Sequence, residues 1–391
     1  MISGLEFIFW VSLFLVVYTY ALYPVILFIL SSLSGKRTGK TVGNTDGSAE
    51  YPSVSMVVAA YNEEKVIESK VRNCMEIDYP ADKIEFLIGS DGSTDKTNEI
   101  VSSFAAKNRQ IRLLDFPDRR GKASVLNRTV AEAKGDFLVF SDANTMYEKD
   151  AIRRLVAPFS DPDIGCVCGK LVISRPEGST SNDDLYWRYE TWLKAMENRL
   201  GGVLGANGGI YALRRQLFVP IPPDTIIDDF VIGMKVREQR FRVHYAEDAV
   251  AREETAESDK AEFRRRVRIG AGNFQSIALL KRLLLPGEGI FAFQFWSHKI
   301  VRWCVPFFLT LMLLSNVLLA RYGNGYLVLL VCQVFFYLMA ILGYVANKRG
   351  LLFRIPSFFV SMNLAFFIGF FKYLFNVQKV TWERTERVSI V

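Results

Sequence analysis

Four stretches of the chain contain no charged residue: Phe7 to Gly35, Trp303 to Ala320, Tyr322 to Asn347 and Ile355 to Phe371. A helix needs roughly 20 apolar residues to cross the hydrocarbon core of a bilayer, about 17 at the short end. In lipid every backbone N–H and C=O must be satisfied within the segment, so such stretches are confined to helices. Between them, about Glu50 to Leu285 holds most of the charge and is long enough for one domain with its own core. The totals over 391 residues, 50% hydrophobic and 23% charged, are ordinary; the distribution carries the information. Disorder, a collagen-like fibre and a disulfide-stapled fold are excluded, since the 5 cysteines are few and scattered.

The first apolar stretch is too long for a signal-peptide core and has no basic leader, so it reads as a retained anchor over residues 1–35. Lys36, Arg37 and Lys40 follow it and place that end in the cytoplasm by the positive-inside rule. The domain over 50–285 is then expected to be cytoplasmic, in a multi-pass protein of the cell (inner) membrane. Lys348, Arg349 and Arg354 repeat the signal between the last two stretches. About three spans are expected over 303–378, with a mildly basic tail over 379–391. Residues 286–302 mix aromatics with His298, Lys299 and Arg302 and read as an amphipathic helix in the headgroup layer, or as the first turns of the next span. His244 and His298 have no sequence-local partners for a metal site or a Ser/His/Asp triad. The +7 net charge is shared with membrane-flanking Lys and Arg, with no basic stripe interleaved with aromatics, so nucleic acid is not an expected partner.

Within the charged part, Val54–Ala60, Ile84–Gly89, Ile111–Phe116 and Asp136–Phe140 read as strands. Helical patterns fill the gaps, from Glu63, Asp95, Lys122 and Lys149. Strands alternating with helices of this length indicate βαβ units and a mostly parallel sheet. Cys166 and Cys168 share one face of a further buried strand. Ligands of such sheets sit at the carboxyl ends of the strands, and the loops there are polar. They read Tyr61-Asn-Glu63-Glu, Asp91-Gly-Ser-Thr-Asp95 and Ser141-Asp142-Ala-Asn144-Thr145. Each alone is ordinary turn and cap chemistry, with Ser93 or Thr94 able to cap the next helix. Together they suit a nucleotide and a divalent cation bridging its phosphates.

These three motifs, in this order, resemble the nucleotide-sugar motifs of family 2 glycosyltransferases. The flanking apolar helices resemble those of the processive branch, such as hyaluronan, cellulose and poly-N-acetylglucosamine synthases. The resemblance spans about Pro52 to Gln275. It implies an α/β, GT-A (Rossmann-like) domain and inverting transfer from a nucleotide-sugar, most often a UDP-sugar. It further implies Mg2+ or Mn2+, a saccharide or lipid-linked acceptor, the bilayer as surroundings, and accessory export proteins. By resemblance, Tyr61, Glu63, Arg265 and Arg268 belong to the nucleotide-sugar site, Asp91 binds the nucleoside and Lys122 lies near the nucleotide. Asp142 and Asn144 stand at the ends of the metal-binding Asp-x-Asp, with a neutral donor as the second member. The loop Gly205-Ala-Asn207-Gly208-Gly lies where the acceptor sugar does. Asp228 and Asp229 resemble the Glu-Asp motif whose second member, Asp229, is the general base. Arg265-Arg-Val-Arg268-Ile269 stands where processive synthases carry Gln-x-x-Arg-Trp, so only Arg268 matches. Nucleotide-sugar transfer is expected to survive that departure, which counts against processive extrusion; transfer to a growing polysaccharide, coupled to export, is the first expectation and single transfer to a polyprenyl-phosphate-type lipid the alternative.

Overall fold

The computed structural model describes residues 2–34, 51–174, 183–254, 259–346 and 350–378. Lys36, Arg37, Lys40, Lys348, Arg349 and the 379–391 tail, used above for orientation, lie outside the described residues. The chain divides into two compact units, one of residues 34–179, 197–261 and 379–391, the other of 1–33, 180–196 and 262–378. Residues 262–285, expected within the soluble domain, thus group with the apolar helices.

The first unit holds one eight-stranded sheet. Its strands are β1 (Val54–Ala60), β2 (Ile84–Asp91), β3 (Ile111–Phe116), β4 (Phe137–Asp142), β5 (Thr145–Tyr147), β6 (Ile164–Ser174), β7 (Tyr211–Arg214) and β8 (Arg242–Glu254). The order is β3-β2-β1-β4-β7-β6-β8-β5. The β3-β2-β1-β4 half is parallel, and its central run Val54-Ser-Met-Val-Val-Ala-Ala60 is buried at every position. That is the composition of a strand covered on both faces. The other half departs from the expected parallel pattern. The short β7 runs antiparallel to both β4 and β6, β8 is parallel to β6, and β5 closes the edge antiparallel to β8. Cys166 and Cys168 lie fully buried in β6. Register aligns Ala59 with Asp142 and Ala60 with Ser90, so the ends of β1, β2 and β4 reach the same level.

The second unit contains four helices long and apolar enough to cross a membrane: Ile2–Leu33, Ile290–Leu319, Asn324–Val345 and Leu351–Leu374. Residues 290–302 are continuous with the second of these, so the aromatic segment is its first turns and not a separate helix. At 30 residues that helix is about 45 Å long, more than a bilayer core requires. Two π-helical turns interrupt the ladders, Tyr18–Leu22 and Phe295–Ile300, and Tyr18 Oη lies 2.7 Å from Ser297 Oγ. The Leu351–Leu374 helix packs closely on residues 270–271, where a Cβ at Gly369 would come within 2.7 Å of the Ala271 nitrogen.

Candidate active site

Backbone and side-chain bonds staple the loops after β1 and β2 together. Asn62, with φ at 53°, donates its N–H to Ser93 Oγ (3.1 Å) and accepts the Thr94 N–H (2.8 Å). The next helix, Thr97–Ala105, receives the Asp95 carboxylate on its Thr97 N–H (3.0 Å). Asp95 therefore does the capping expected of Ser93 or Thr94. Glu63 donates its N–H to Thr97 Oγ1, and the Tyr61 ring lies 3.9 Å from the Arg119 guanidinium.

Asp91, 1% exposed, accepts the N–H groups of Arg120 and Gly121, each at 2.8 Å, one on each carboxylate oxygen. This draws the loop after β3 back over the sheet. Gly121, at φ 90°, is the turn that a side chain would strain, and the Lys122–Ala131 helix starts on the next residue. Asn127 of that helix exchanges two hydrogen bonds with Ile221, on the segment leading to Asp228.

Lys122 is the centre of the arrangement. Its Nζ lies 2.7 Å from Asp142 Oδ1 at the end of β4 and 3.1 Å from Asp228 Oδ2. Burial pulls this ammonium down, but the carboxylates of Asp142, Asp228 and Asp229 overrule it and hold Lys122 above the usual lysine range. Asp228 and Asp229 open the Asp228–Glu238 helix, where unsatisfied N–H groups favour negative charge. Burial first and then the Asp228 charge push Asp229 up to about 6, while Lys122 and the Phe230 N–H oppose the rise. A carboxylate raised to that point is ionised at neutral pH yet remains a better proton acceptor than an ordinary aspartate. Gly208 closes over it: a Cβ built there would stand 3.0 Å from Asp229 Oδ2. Asn207 anchors that loop by donating from Nδ2 to the Gly169 carbonyl at 2.7 Å.

Two contributors were invisible in the sequence. Lys70, on the Ile67–Met75 helix, is fully buried and donates to Ser141 Oγ (2.7 Å) and to the Thr145 carbonyl, bracketing Asp142 and Asn144 from below the loop. Burial lowers its ammonium to about 8, against the pull of Cys74 and Asp142. Tyr211, stacked on Phe140 at 4.7 Å, holds its hydroxyl without a hydrogen-bond partner among the described residues; burial, then Asp228 and Asp229, keep it well above the usual phenol range.

A divalent cation fits the Asp142 and Asn144 positions. The Asp142 side chain is 30% exposed, so its carboxylate has room for a cation beside the Lys122 ammonium. The buried Asn144 amide nitrogen has no hydrogen-bond partner among the described residues, and turning that amide over presents its oxygen instead. Among the described residues no group of three His, Cys, Asp or Glu gathers as a metal site, so the remaining ligands would be donor phosphates and water. Arg265 and Arg268 lie on the Asp259–Leu279 helix in the other unit, where Arg265 pairs with Glu262 at 2.9 Å. The structure thus brings together Lys122, Asp142, Asp228 and Asp229, with Gly208 against the last.

Residues 55–219 match the family model described as Glycosyl transferase family 2. Poly-beta-1,6-N-acetyl-D-glucosamine synthase of Staphylococcus aureus (strain COL) is 27% identical over 203 residues, 50% of this chain and 48% of that protein. Beta-monoglucosyldiacylglycerol synthase of Synechocystis sp. is 27% identical over 242 residues, 58% of this chain and 48% of that protein. The chain spans about half the length of these curated relatives. A mannosyltransferase from Pyrobaculum calidifontis, solved with GDP-Man and Mn2+, superposes with a TM-score of 0.73 at 21% identity, covering 96% of this chain and 100% of that one. Residues 55–219 thus match a family 2 glycosyltransferase domain and the chain has a GT-A fold, with four helices among the described residues long and apolar enough to span a membrane.

Proposed function

We propose that the protein is an inverting membrane glycosyltransferase that moves a sugar from a nucleotide-sugar to an acceptor hydroxyl at the cytoplasmic face of the cell membrane. The observation that carries this reading is the cluster in which Lys122 Nζ lies 2.7 Å from Asp142 and 3.1 Å from Asp228, with Asp229 next in the chain and Gly208 against its carboxylate. Asp229 takes the proton of the acceptor hydroxyl. The oxygen attacks the anomeric carbon from the face opposite the phosphate, a C–O bond forms there, and the bond to the diphosphate breaks with its electron pair leaving on the nucleotide. Asp228 holds Lys122 in place, and Lys122 offers its ammonium to the phosphates. Asp91 serves the nucleoside end, Tyr61 and Glu63 the nucleotide-sugar beside it, and Asn207 with Gly208 the acceptor.

The local charge supports a role for a divalent cation. One ammonium faces three carboxylates, so a diphosphate entering alone would meet net repulsion. Mg2+ or Mn2+ at Asp142 and Asn144 would supply positive charge for the developing diphosphate.

The acceptor in the first reading is a growing polysaccharide, its export served by the apolar helices and by accessory proteins. A single transfer to a lipid-linked acceptor is the second reading, favoured by Ile269 standing where processive synthases carry Trp. The test uses purified protein in lipid vesicles with radiolabelled UDP- and GDP-sugars and Mg2+ or Mn2+, sizing the labelled product. A high-mass, enzyme-digestible product supports the first reading; label confined to a small lipid-extractable species supports the second. Absence of transfer from every donor overturns both.

A further inference from the structure

The apolar-helix unit contains a cavity of about 260 Å³ that takes no part in the chemistry above. The Leu351–Leu374 helix lines it with both apolar residues, Ile355, Phe358, Phe359, Met362 and Phe366, and polar ones, Arg354 and Asn363. Tyr20, Tyr189 and Arg302 complete a polar lining.

Three separate features make this polar lining costly. Arg302, 7% exposed, forms an ion pair with the equally buried Glu190, and His298 Nε2 lies 3.4 Å from the other Glu190 oxygen. His298 therefore has the acid and base neighbours that the sequence alone did not reveal. Taking such a pair out of water contributes little to stability, and ionisable groups among spanning helices mark sites of function. Asn363, 4% exposed, donates from Nδ2 to the Phe359 carbonyl at 2.9 Å, while its Oδ1 has no hydrogen-bond partner among the described residues. Finally, both π-helical turns meet here: Tyr20 belongs to one, and Arg302 follows two residues after the other. Such turns sacrifice regular ladder bonds and concentrate at functional positions.

We propose that this cavity binds the head of a membrane lipid carrying a phosphate and a hydroxyl. Arg302 and Arg354 supply guanidinium groups for the phosphate. The carbonyl oxygen of Asn363 accepts the hydroxyl, the one role an amide oxygen at that position can fill. The five apolar residues receive the first methylenes of the chain. The volume suits a head group with a short length of chain and excludes a whole lipid.

The test uses full-length protein in nanodiscs, photo-cross-linked to a trace of photoactivatable phosphatidylglycerol, with adducts mapped by mass spectrometry. Labelling is expected on the Leu351–Leu374 helix, at least five-fold stronger than with a phosphatidylcholine probe, which has phosphate but no hydroxyl. Arg354→Gln and the cavity-filling Met362→Trp are each expected to reduce it at least five-fold. Leu364→Trp, on an exposed position of the same helix, controls for folding and keeps wild-type labelling. Equal labelling by the two probes, or wild-type labelling in Met362→Trp, overturns the proposal. Competition tests the head group: displacement by unlabelled phosphatidylglycerol is expected, and equal displacement by polyisoprenyl phosphate, which has no alcohol hydroxyl, overturns the role given to Asn363. The readout needs no sugar donor, so failure of transfer and failure of this site are separate results.

Discussion

The molecule buries two charge clusters, and they are built to opposite rules. In the α/β unit one lysine, Lys122, faces Asp142, Asp228 and Asp229, and the excess of acid is left standing. In the helical unit Glu190 is closed off by Arg302 and His298; burial works against its ionisation, but Arg302 and His298 prevail and hold it well below the usual carboxylate range. The first cluster keeps a base raised and ready; the second keeps an acid permanently ionised. A cluster with unbalanced charge is an offer to a ligand of the opposite sign, while the paired one fixes a guanidinium in place at the lining of a cavity.

The sharpest way to break this contrast is Asp229→Asn. Transfer is expected to fall by at least about 10³-fold, within the usual reach of a general base, while donor binding measured by calorimetry persists. Near-normal turnover would remove Asp229 from the mechanism. The same substitution should leave the melting temperature at pH 8 unchanged or raised. The folded state holds the Asp229 proton up to about pH 6, so wild-type stability falls as pH rises from about 4 to 6 and stays lower above that.

Glu190→Ala predicts the opposite. It strands Arg302 in an apolar surround and should cost about 3 kcal/mol or more, read as a lower melting temperature in detergent. Donor affinity measured on the folded variant should be unchanged. Lys122→Met removes the cation that favours ionised Asp229, so the rising limb of rate against pH, expected near 6 in the wild type, moves alkaline by about one unit. The smallest effect is expected from Lys70→Met, which frees the Ser141–Thr145 turn: roughly a ten-fold loss of kcat/KM, with only part of it in kcat.

The parallel half of the sheet was legible because its strands are short runs rich in branched and aromatic residues; β1, buried at every position, and β3 begin and end where the sequence places them. The order and antiparallel pairing of the other half were not. β7 is four residues long and finds its neighbours, β4 and β6, through packing that no local pattern encodes. The same division holds in the site. Asp142 and Asp228–Asp229 stood out as acids beside apolar runs, a placement with few structural uses. Lys70 looked like any lysine on an amphipathic helix, and only the fold shows it pointing inward. Glu190 and Arg302 are 112 residues apart, and nothing in either neighbourhood announces the other.

Gly208 has a practical consequence for work in living cells. The gap between its backbone and Asp229 Oδ2 is too narrow for a carbon atom without a shift of a few tenths of an ångström. Gly208→Ala would therefore press one methyl group against the carboxylate with no change of charge. Compared in cells with the Asp229→Asn protein, such a variant separates crowding of that carboxylate from loss of its charge.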